Sequence, residues 1–209
     1  MIRVLPYGDQ AALVDLDRPE QVLGLHAALD DEPPCGTVEM VPAARTLLVR
    51  FDPGRTSFER ISAEIARHSV SDGSHRSGPE VEVPVRYDGA DLAEVATETG
   101  LSAAEVIRRH QASTYTVAFC GFAPGFGYLT GLDPRLHVPR KTTPRTRVPA
   151  GSVAIAGEYT AVYPRESPGG WRLLGRTGLP VWDVDRDPPN LLVPGTRVRF
   201  VETFEKFEP

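Results

Sequence analysis

The sequence predicts an α+β chain of two domains. A two-layer ββαββα sandwich occupies residues 1–78, and a mainly-β domain, barrel or sandwich, occupies 79–209. Three observations carry this. In the first third, strand-like runs alternate with helical patterns that open on capping signals. The stretch SDGSHRSGPE at 71–80 is polar and Gly/Ser-rich, the composition of a linker. After Thr114 the helical period disappears, and short apolar runs recur between Gly/Pro turns. A count of 19 glycines and 20 prolines in 209 residues fits that turn-rich second half.

The elements follow in order. IRVLPY and AALVDL read as two strands joined around Gly8-Asp9. Asp17-Arg18-Pro19-Glu20 supplies a helix N-cap, a proline in the first turn and an acid three residues on. Val22, Leu25, His26 and Leu29 follow at helical spacing until Pro33-Pro34. TVEMVP and TLLVRFD are strands, and Thr56-Ser57-Phe58-Glu59 is a second capping box for a helix whose face is Phe58, Ile61 and Ile65. Each helix has one apolar face, so both should pack on one antiparallel sheet. Beyond the linker, VEVPVRY reads as a strand, and Asp91 to Thr99 as a helix ended by Gly100. Ser102 to Glu105 caps a further helix reaching about Gln111. TYTVAF, SVAIAGE, YTAVYP, WRLLGRT, LPVWDV and TRVRFVE are then short strands.

Composition excludes several functions. A net charge of −5 argues against a nucleic-acid partner, which calls for a basic footprint. No apolar run approaches the roughly 20 residues that cross a bilayer, so no membrane association is expected. The N-terminus shows no signal core, and the two cysteines, Cys35 and Cys120, imply a reduced, cytoplasmic chain without a disulfide. Neither the cysteines nor the scattered histidines at 26, 68, 75, 110 and 137 have metal-ligand spacing, so no metal site is expected.

The chemistry concentrates between Tyr115 and Arg176, where glycines, prolines, aromatics and arginines are densest. Cys120 ends an apolar strand and reads as a small buried hydrophobe. The competing nucleophile reading needs a spatial partner such as His110 or His137. GFAPGFGYLTG, with Gly121, Gly125, Gly127 and Gly131, is neither a Walker motif nor a dinucleotide fingerprint. It is either a tight aromatic turn system or a pocket wall of Phe122, Phe126 and Tyr128 with backbone N–H groups free for an anion. Arg135, Arg140, Lys141, Arg145 and Arg147 are spread by prolines along an extended run. They form either a solvated basic loop or an anion or partner site. After the turn signal Ser167-Pro168-Gly169-Gly170, strand alternation sets Arg172 opposite Trp171 and puts Arg176 on the Arg172 face. Asp183, Asp185 and Asp187 alternate along the chain, an arrangement that suits a hard cation but fits a solvated strand edge better.

Three stretches in this order carry a family resemblance: YTVAFCGFAPGFGYLTGLDPRL, PRTRVPAGSVAIAGEYTAVYP and SPGGWRLLGRT. They resemble the hallmark stretches of the family of KipI and the 5-oxoprolinase B subunit (PxpB), also called allophanate hydrolase subunit 1. GDQAALVDL, VPAARTLLVRFDP and PPNLLVPGTRVRFV extend the likeness over nearly the whole chain. Two features depart from the common pattern: Gly127, where many members carry proline or alanine, and the short loop Asp88-Gly89-Ala90. The resemblance implies a ββαββα domain followed by a cyclophilin-like β-barrel, a likeness of fold that brings no prolyl isomerase activity with it.

It further implies the B subunit of an ATP-dependent 5-oxoprolinase, opening 5-oxo-L-proline to L-glutamate with a C subunit (allophanate hydrolase subunit 2-like) and an A subunit. ATP, with Mg, would be the cofactor of the assembled complex. The lactam carbonyl would be activated by phosphorylation and then hydrolysed. Substrate carboxylate and nucleotide phosphates are anions, so Arg140, Lys141, Arg145, Arg147, Arg172 and Arg176 are the expected anion-binding residues. Phe122, Phe126, Tyr128 and Tyr163 are the expected pocket walls. Glu158 and His137 are the candidates for a general base, with neither assigned. The alternatives within the resemblance are a urea- or allophanate-metabolising amide hydrolase or carboxyltransferase subunit, and a non-enzymatic inhibitor of a histidine kinase.

Overall fold

A computed structural model describes residues 2–68, 79–205 and 207. The chain divides into two compact units, Met1–Ser77 and Gly78–Pro209. Residues 71–78 of the expected linker lie outside the described residues.

The first unit runs β1 (Arg3–Pro6), β2 (Ala11–Asp15), α1 (Pro19–Asp31), β3 (Thr37–Pro42), β4 (Thr46–Phe51) and α2 (Phe58–Ile65). Its antiparallel sheet has the order β1-β2-β4-β3. Alternate residues of the two central strands, Ala12, Val14, Leu47 and Val49, are buried against Val22, Leu25 and Leu29 of α1 and Ile61 and Ile65 of α2. One sheet face and two helix faces therefore make one core, the two-layer arrangement predicted. Both helix starts differ from the sequence expectation by one residue. Arg18, not Asp17, is the N-cap of α1, because the Gln21 side chain folds back to accept from the Asp17 and Arg18 N–H groups at 3.1 and 3.2 Å. Ser57, not Thr56, caps α2, since Thr56 is buried against Gly36.

The second unit contains β5 (Glu80–Val85), α3 (Leu92–Thr99), α4 (Ala103–Ala112), β6 (Tyr115–Cys120), β7 (Gly127–Thr130), β8 (Arg145–Val148), β9 (Ser152–Ala156), β10 (Tyr159–Val162), β11 (Ser167–Gly169), β12 (Arg172–Arg176) and β13 (Arg197–Glu202). Seven strands form one sheet in the order β12-β9-β10-β7-β6-β13-β5, antiparallel except for the parallel β13–β5 pair. The sheet curls until its two ends meet. Arg86, just past β5, and Arg176 of β12 exchange two backbone hydrogen bonds of 2.9 Å, so the outer edges close on each other. Val83, Val117, Leu129, Val153 and Ile155 fill the interior, joined by Val95 of α3 and Val106 of α4.

Several sequence expectations change here. LPVWDV is not a strand; apart from a single Trp182–Asn190 bridge it runs as a loop. Arg186 ties that loop by donating to the carbonyls of Pro180, Val181, Pro188 and Pro189. Prolines at 180, 188 and 189 lack the N–H a ladder needs. Ser167–Gly169, read as a turn, is β11, and it pairs with β8, part of the basic run expected to be a loop. GYLT, read as part of the glycine loop, is β7.

Candidate functional site at the barrel seam

The seam where the barrel closes is built by close backbone approach. A Cβ on Gly175 would lie 2.3 Å from the Arg86 carbonyl oxygen, so only glycine lets the two strands join there. The loop Tyr87–Asp91 then lies along β12: Gly89 and Asp91 N–H donate to the carbonyls of Leu174 and Leu173. The short loop Asp88-Gly89-Ala90 is therefore part of the segment that delivers Asp88 and Asp91 to β12.

These carboxylates meet the expected anion-binding cations. Asp91 is buried and accepts from Leu173 N–H at 2.8 Å, Arg145 at 2.6 Å and Lys141 at 3.1 Å. Burial alone would raise its pKa, but the hydrogen bonds from Arg145, Leu173 and Lys141 outweigh it and hold the carboxyl below its usual range. Lys141 also reaches Glu94 at 2.8 Å, and these carboxylates raise the ammonium pKa. Arg172 is buried with all three guanidinium nitrogens used: to the Pro139 carbonyl, to Glu94 at 2.5 Å and to Glu98 at 3.0 Å. Arg176 pairs with Asp88 at 2.8 Å, and Arg86 reaches the same oxygen at 3.0 Å. Lys141, Arg145 and Arg172 are thus brought together, but by acids of this chain.

Arg172 and Arg176 do not share a face, contrary to the alternation argument. A β-bulge between Leu173 and Gly175 shifts the register, so Arg172 stands opposite Ile155 and Arg176 opposite Ser152. Those partners are three apart on β9 and face opposite ways. Sequence reasoning also missed the acids. Asp91, Glu94 and Glu98 are spaced i, i+3, i+7, one face of α3, a pattern readable in the sequence as an acidic stripe seeking cations.

The expected wall residues form a second cluster. Phe126 is 1% exposed and sits edge-to-face with Phe122, Tyr163 and Trp171 at 5.2 to 5.5 Å, with Tyr128 tilted against it at 5.1 Å. Phe126 is therefore packed core. Phe122 is the outlier: it is 59% exposed and its φ is +67°, left-handed backbone that a non-glycine side chain rarely adopts. Arg140 is exposed and lies over the Trp171 ring at 5.8 Å. The turn's N–H groups at Gly121, Ala123 and Phe126 are used internally.

The remaining candidates take structural places. The Cys120 thiol is partly buried and donates to the Leu192 carbonyl at 3.1 Å, and burial raises its pKa, the state of an unreactive thiol. His110 is fully buried, its ring nitrogens held by the Tyr87 hydroxyl at 2.8 Å and Thr160 Oγ1 at 3.0 Å. Thr160 donates onward to the Ala154 carbonyl, so it accepts from His110 Nε2–H, and Nδ1 accepts from Tyr87. His137 reaches the Leu132 carbonyl, and Glu158 is exposed at the β9–β10 hairpin. Among the described residues no cluster of three or more His, Cys, Asp or Glu could hold a metal, the Asp183–Asp187 stretch included.

Beside the seam lies a cavity of about 610 Å³, floored where the ends of β9, β10 and β12 converge. Gly151, at φ +74°, accepts from Thr177 N–H and donates to the Tyr163 carbonyl. A Cβ there would stand 2.2 Å from the Thr177 oxygen. Arg147 and Glu166 line this cavity and pair with each other, both largely exposed. A smaller cavity of about 330 Å³ shares Pro149, Ala150 and Thr177 and carries Asp88 and Arg176.

The carboxyltransferase domain, subdomain C and D, family matches residues 2–192. The 5-oxoprolinase B subunit of Escherichia coli O157:H7 is 39% identical over 204 residues, 93% of either chain. That of Bacillus subtilis (strain 168) is 39% identical over 220 residues, 95% of this chain and 92% of its own. The crystal structure of TTHA0988 superposes with a TM-score of 0.83 at 40% identity; this chain covers 41% of it, with 96% of its own length. Urea amidolyase of Saccharomyces cerevisiae (strain ATCC 204508 / S288c) matches 36% of the chain at 38% identity, and that match covers 4% of the amidolyase. The Kluyveromyces lactis Urea Amidolyase structure shares the fold at a TM-score of 0.74 and 21% identity; 97% of this chain covers 15% of it. With a family match from residue 2 to 192 and 5-oxoprolinase B-subunit relatives aligned almost end to end, the chain belongs to the carboxyltransferase subdomain C and D family and groups with the 5-oxoprolinase B-subunit proteins.

Proposed function

We propose that this chain is the B subunit of an ATP-dependent 5-oxoprolinase, which opens 5-oxo-L-proline to L-glutamate in a complex with the A and C subunits in the cytoplasm. One observation carries the reading: relatives named as the B subunit of 5-oxoprolinase align over 93–95% of the chain at 39% identity. The urea-metabolism reading is the weaker one, because the urea amidolyase sequence match spans only 36% of the chain.

The cation pairing divides the labour within that complex. Lys141, Arg145, Arg172 and Arg176 are held by Asp91, Glu94, Glu98 and Asp88, so their first role is to fix α3 and the seam. Arg140 and Arg147 are the cations left exposed toward a ligand or a partner. The described residues do not fit a nucleotide triphosphate: most of the cations carry carboxylates, and the glycine turn bonds to itself. We therefore assign ATP, with Mg, to the assembled complex.

Co-expression with the A and C subunits, followed by an assay of 5-oxoproline-dependent ATP hydrolysis and glutamate release, tests this. Glutamate formed in step with ATP consumption is the expected result. An intact complex idle on 5-oxoproline but active on urea or allophanate would reverse it.

A further inference from the structure

Five of the six expected anion-binding cations are removed from the 610 Å³ cavity or committed elsewhere. Arg172 has no free nitrogen, Lys141 and Arg145 hold the buried Asp91, and Arg176 shares Asp88 with Arg86. Arg140 lies on Trp171, and neither of the two lines the cavity. Arg147 differs in each respect. It lines the cavity, its side chain is 76% exposed, and its one carboxylate partner among the described residues, Glu166, is itself 48% exposed and lines the same cavity.

An exposed ion pair contributes little, so an incoming carboxylate can replace Glu166 at small cost. Displacing Asp91 would instead strand a buried charge. The guanidinium fork suits a carboxylate because it binds both oxygens at once. The walls beyond Arg147 are mostly apolar and stiff: Pro149, Tyr163, Leu179 and Val181. Gly151 anchors the floor, and the cavity's volume is in the ~300–1,000 Å³ range of small-molecule sites. A compact ring fills such a space without ordering flexible parts, and a free carboxylate at its edge meets the arginine.

Resting on the 5-oxoprolinase reading, we propose that this cavity is the carboxylate-recognition subsite for a small cyclic amide acid, with Arg147 exchanging Glu166 for the ligand's carboxylate. Arg147 is then a binding and specificity residue, and Glu166 is an internal competitor that occupies the fork when the cavity holds no ligand.

The test uses three proteins, wild type, Arg147→Gln and Glu166→Gln, first as the ¹⁵N-labelled full chain and then in the assembled complex. L-5-Oxoproline should shift the amide resonances of Gly151 and Thr177, whereas 2-pyrrolidinone, the same ring without the carboxylate, should bind far more weakly. Arg147→Gln should weaken 5-oxoproline binding roughly 10- to 100-fold and erase the preference over 2-pyrrolidinone. Glu166→Gln should tighten it. In the complex, Arg147→Gln should raise KM for 5-oxoproline with a much smaller change in kcat. A folded Arg147→Gln chain that binds like wild type overturns the proposal, as do shifts that avoid the cavity or weaker binding by Glu166→Gln. The two readings fail separately. A complex active on 5-oxoproline with an unchanged KM in Arg147→Gln removes the subsite and leaves the function. A complex inactive on 5-oxoproline, whose chain still selects ring carboxylates through Arg147, removes the function and leaves the subsite.

Discussion

Two sets of arginines on one stretch of sequence have opposite fates. At the seam, Arg172 is buried and Arg145 partly buried, and they meet Asp91, Glu94 and Glu98 from α3 and its N-cap. At the cavity, Arg147 lies two residues from Arg145, yet it is largely exposed and pairs with the exposed Glu166. The residue type is the same; burial within the pair makes the difference, of the acceptor Asp91 for Arg145 and of the guanidinium itself for Arg172, whereas both members of the Arg147–Glu166 pair are exposed. A pair with one member buried is a fastener, because removing the other strands that charge. A cation that is hydrated along with its partner can trade that partner for a ligand. Counting basic residues finds both sets alike and cannot tell them apart.

The largest break in this contrast should come from Asp91→Ala. It leaves Lys141, Arg145 and the Leu173 N–H facing a cavity without their common acceptor. The expected loss is about 3–5 kcal/mol of stability, as for one partner removed from a buried pair. Trp171 and Trp182 both belong to the second unit, so urea unfolding followed by tryptophan fluorescence reports that unit directly. A midpoint unchanged from wild type would show that α3 is not fastened through Asp91. Gly175→Ala should cost somewhat less, about 1–3 kcal/mol, because its Cβ would overlap the Arg86 carbonyl and the seam must part. A crystal structure or hydrogen exchange of the variant should show the Arg86–Arg176 hydrogen bonds lost first.

Acid should loosen the barrel interior well before it reaches the seam. Burial pushes the His110 pKa down to about 3, so the folded state refuses a proton that the unfolded chain accepts near 6.5. Stability from this residue is complete above about pH 6.5 and falls as the pH drops from there toward 3. Asp91 is also held low, but its contribution disappears only below the ordinary carboxylate range, near pH 4. Between about pH 6.5 and 5 the second unit should therefore lose stability in wild type and hold steady in a folded His110→Gln variant. Equal slopes for the two proteins would assign the acid sensitivity elsewhere.

Much of this architecture is legible in the sequence because it rests on local signals. The ββαββα order follows from alternating apolar runs and capping residues, and the Gly100 stop and the Ser102 cap appear where the pattern puts them. What is not legible depends on residues far apart in the chain. The Leu173–Gly175 bulge, which turns Arg176 away from Arg172, has no marker beyond one glycine. The pairing of Arg172 with Glu98 spans 74 residues, and no local rule foretells it. Phe126 shows the same limit, because an aromatic in a glycine loop can be either wall or core. Four ring neighbours from three segments decide for core.

The smallest expected effect sharpens the contrast most. Arg147→Gln should change the stability of the second unit by no more than about 0.5 kcal/mol, since it breaks only an exposed pair whose members regain water. Arg172→Gln, the same substitution on a buried guanidinium, should cost several times more, because Glu94, Glu98 and the Pro139 carbonyl each lose a donor. The two variants together make a ratio that is insensitive to how glutamine behaves in the unfolded chain. A large ratio says that burial of the pair, here of the Arg172 guanidinium, and not the residue type, sets which cations fasten and which are free to bind. A ratio near one would mean that Arg147 is as much a part of the frame as Arg172, and the cavity would lose the residue that makes it selective.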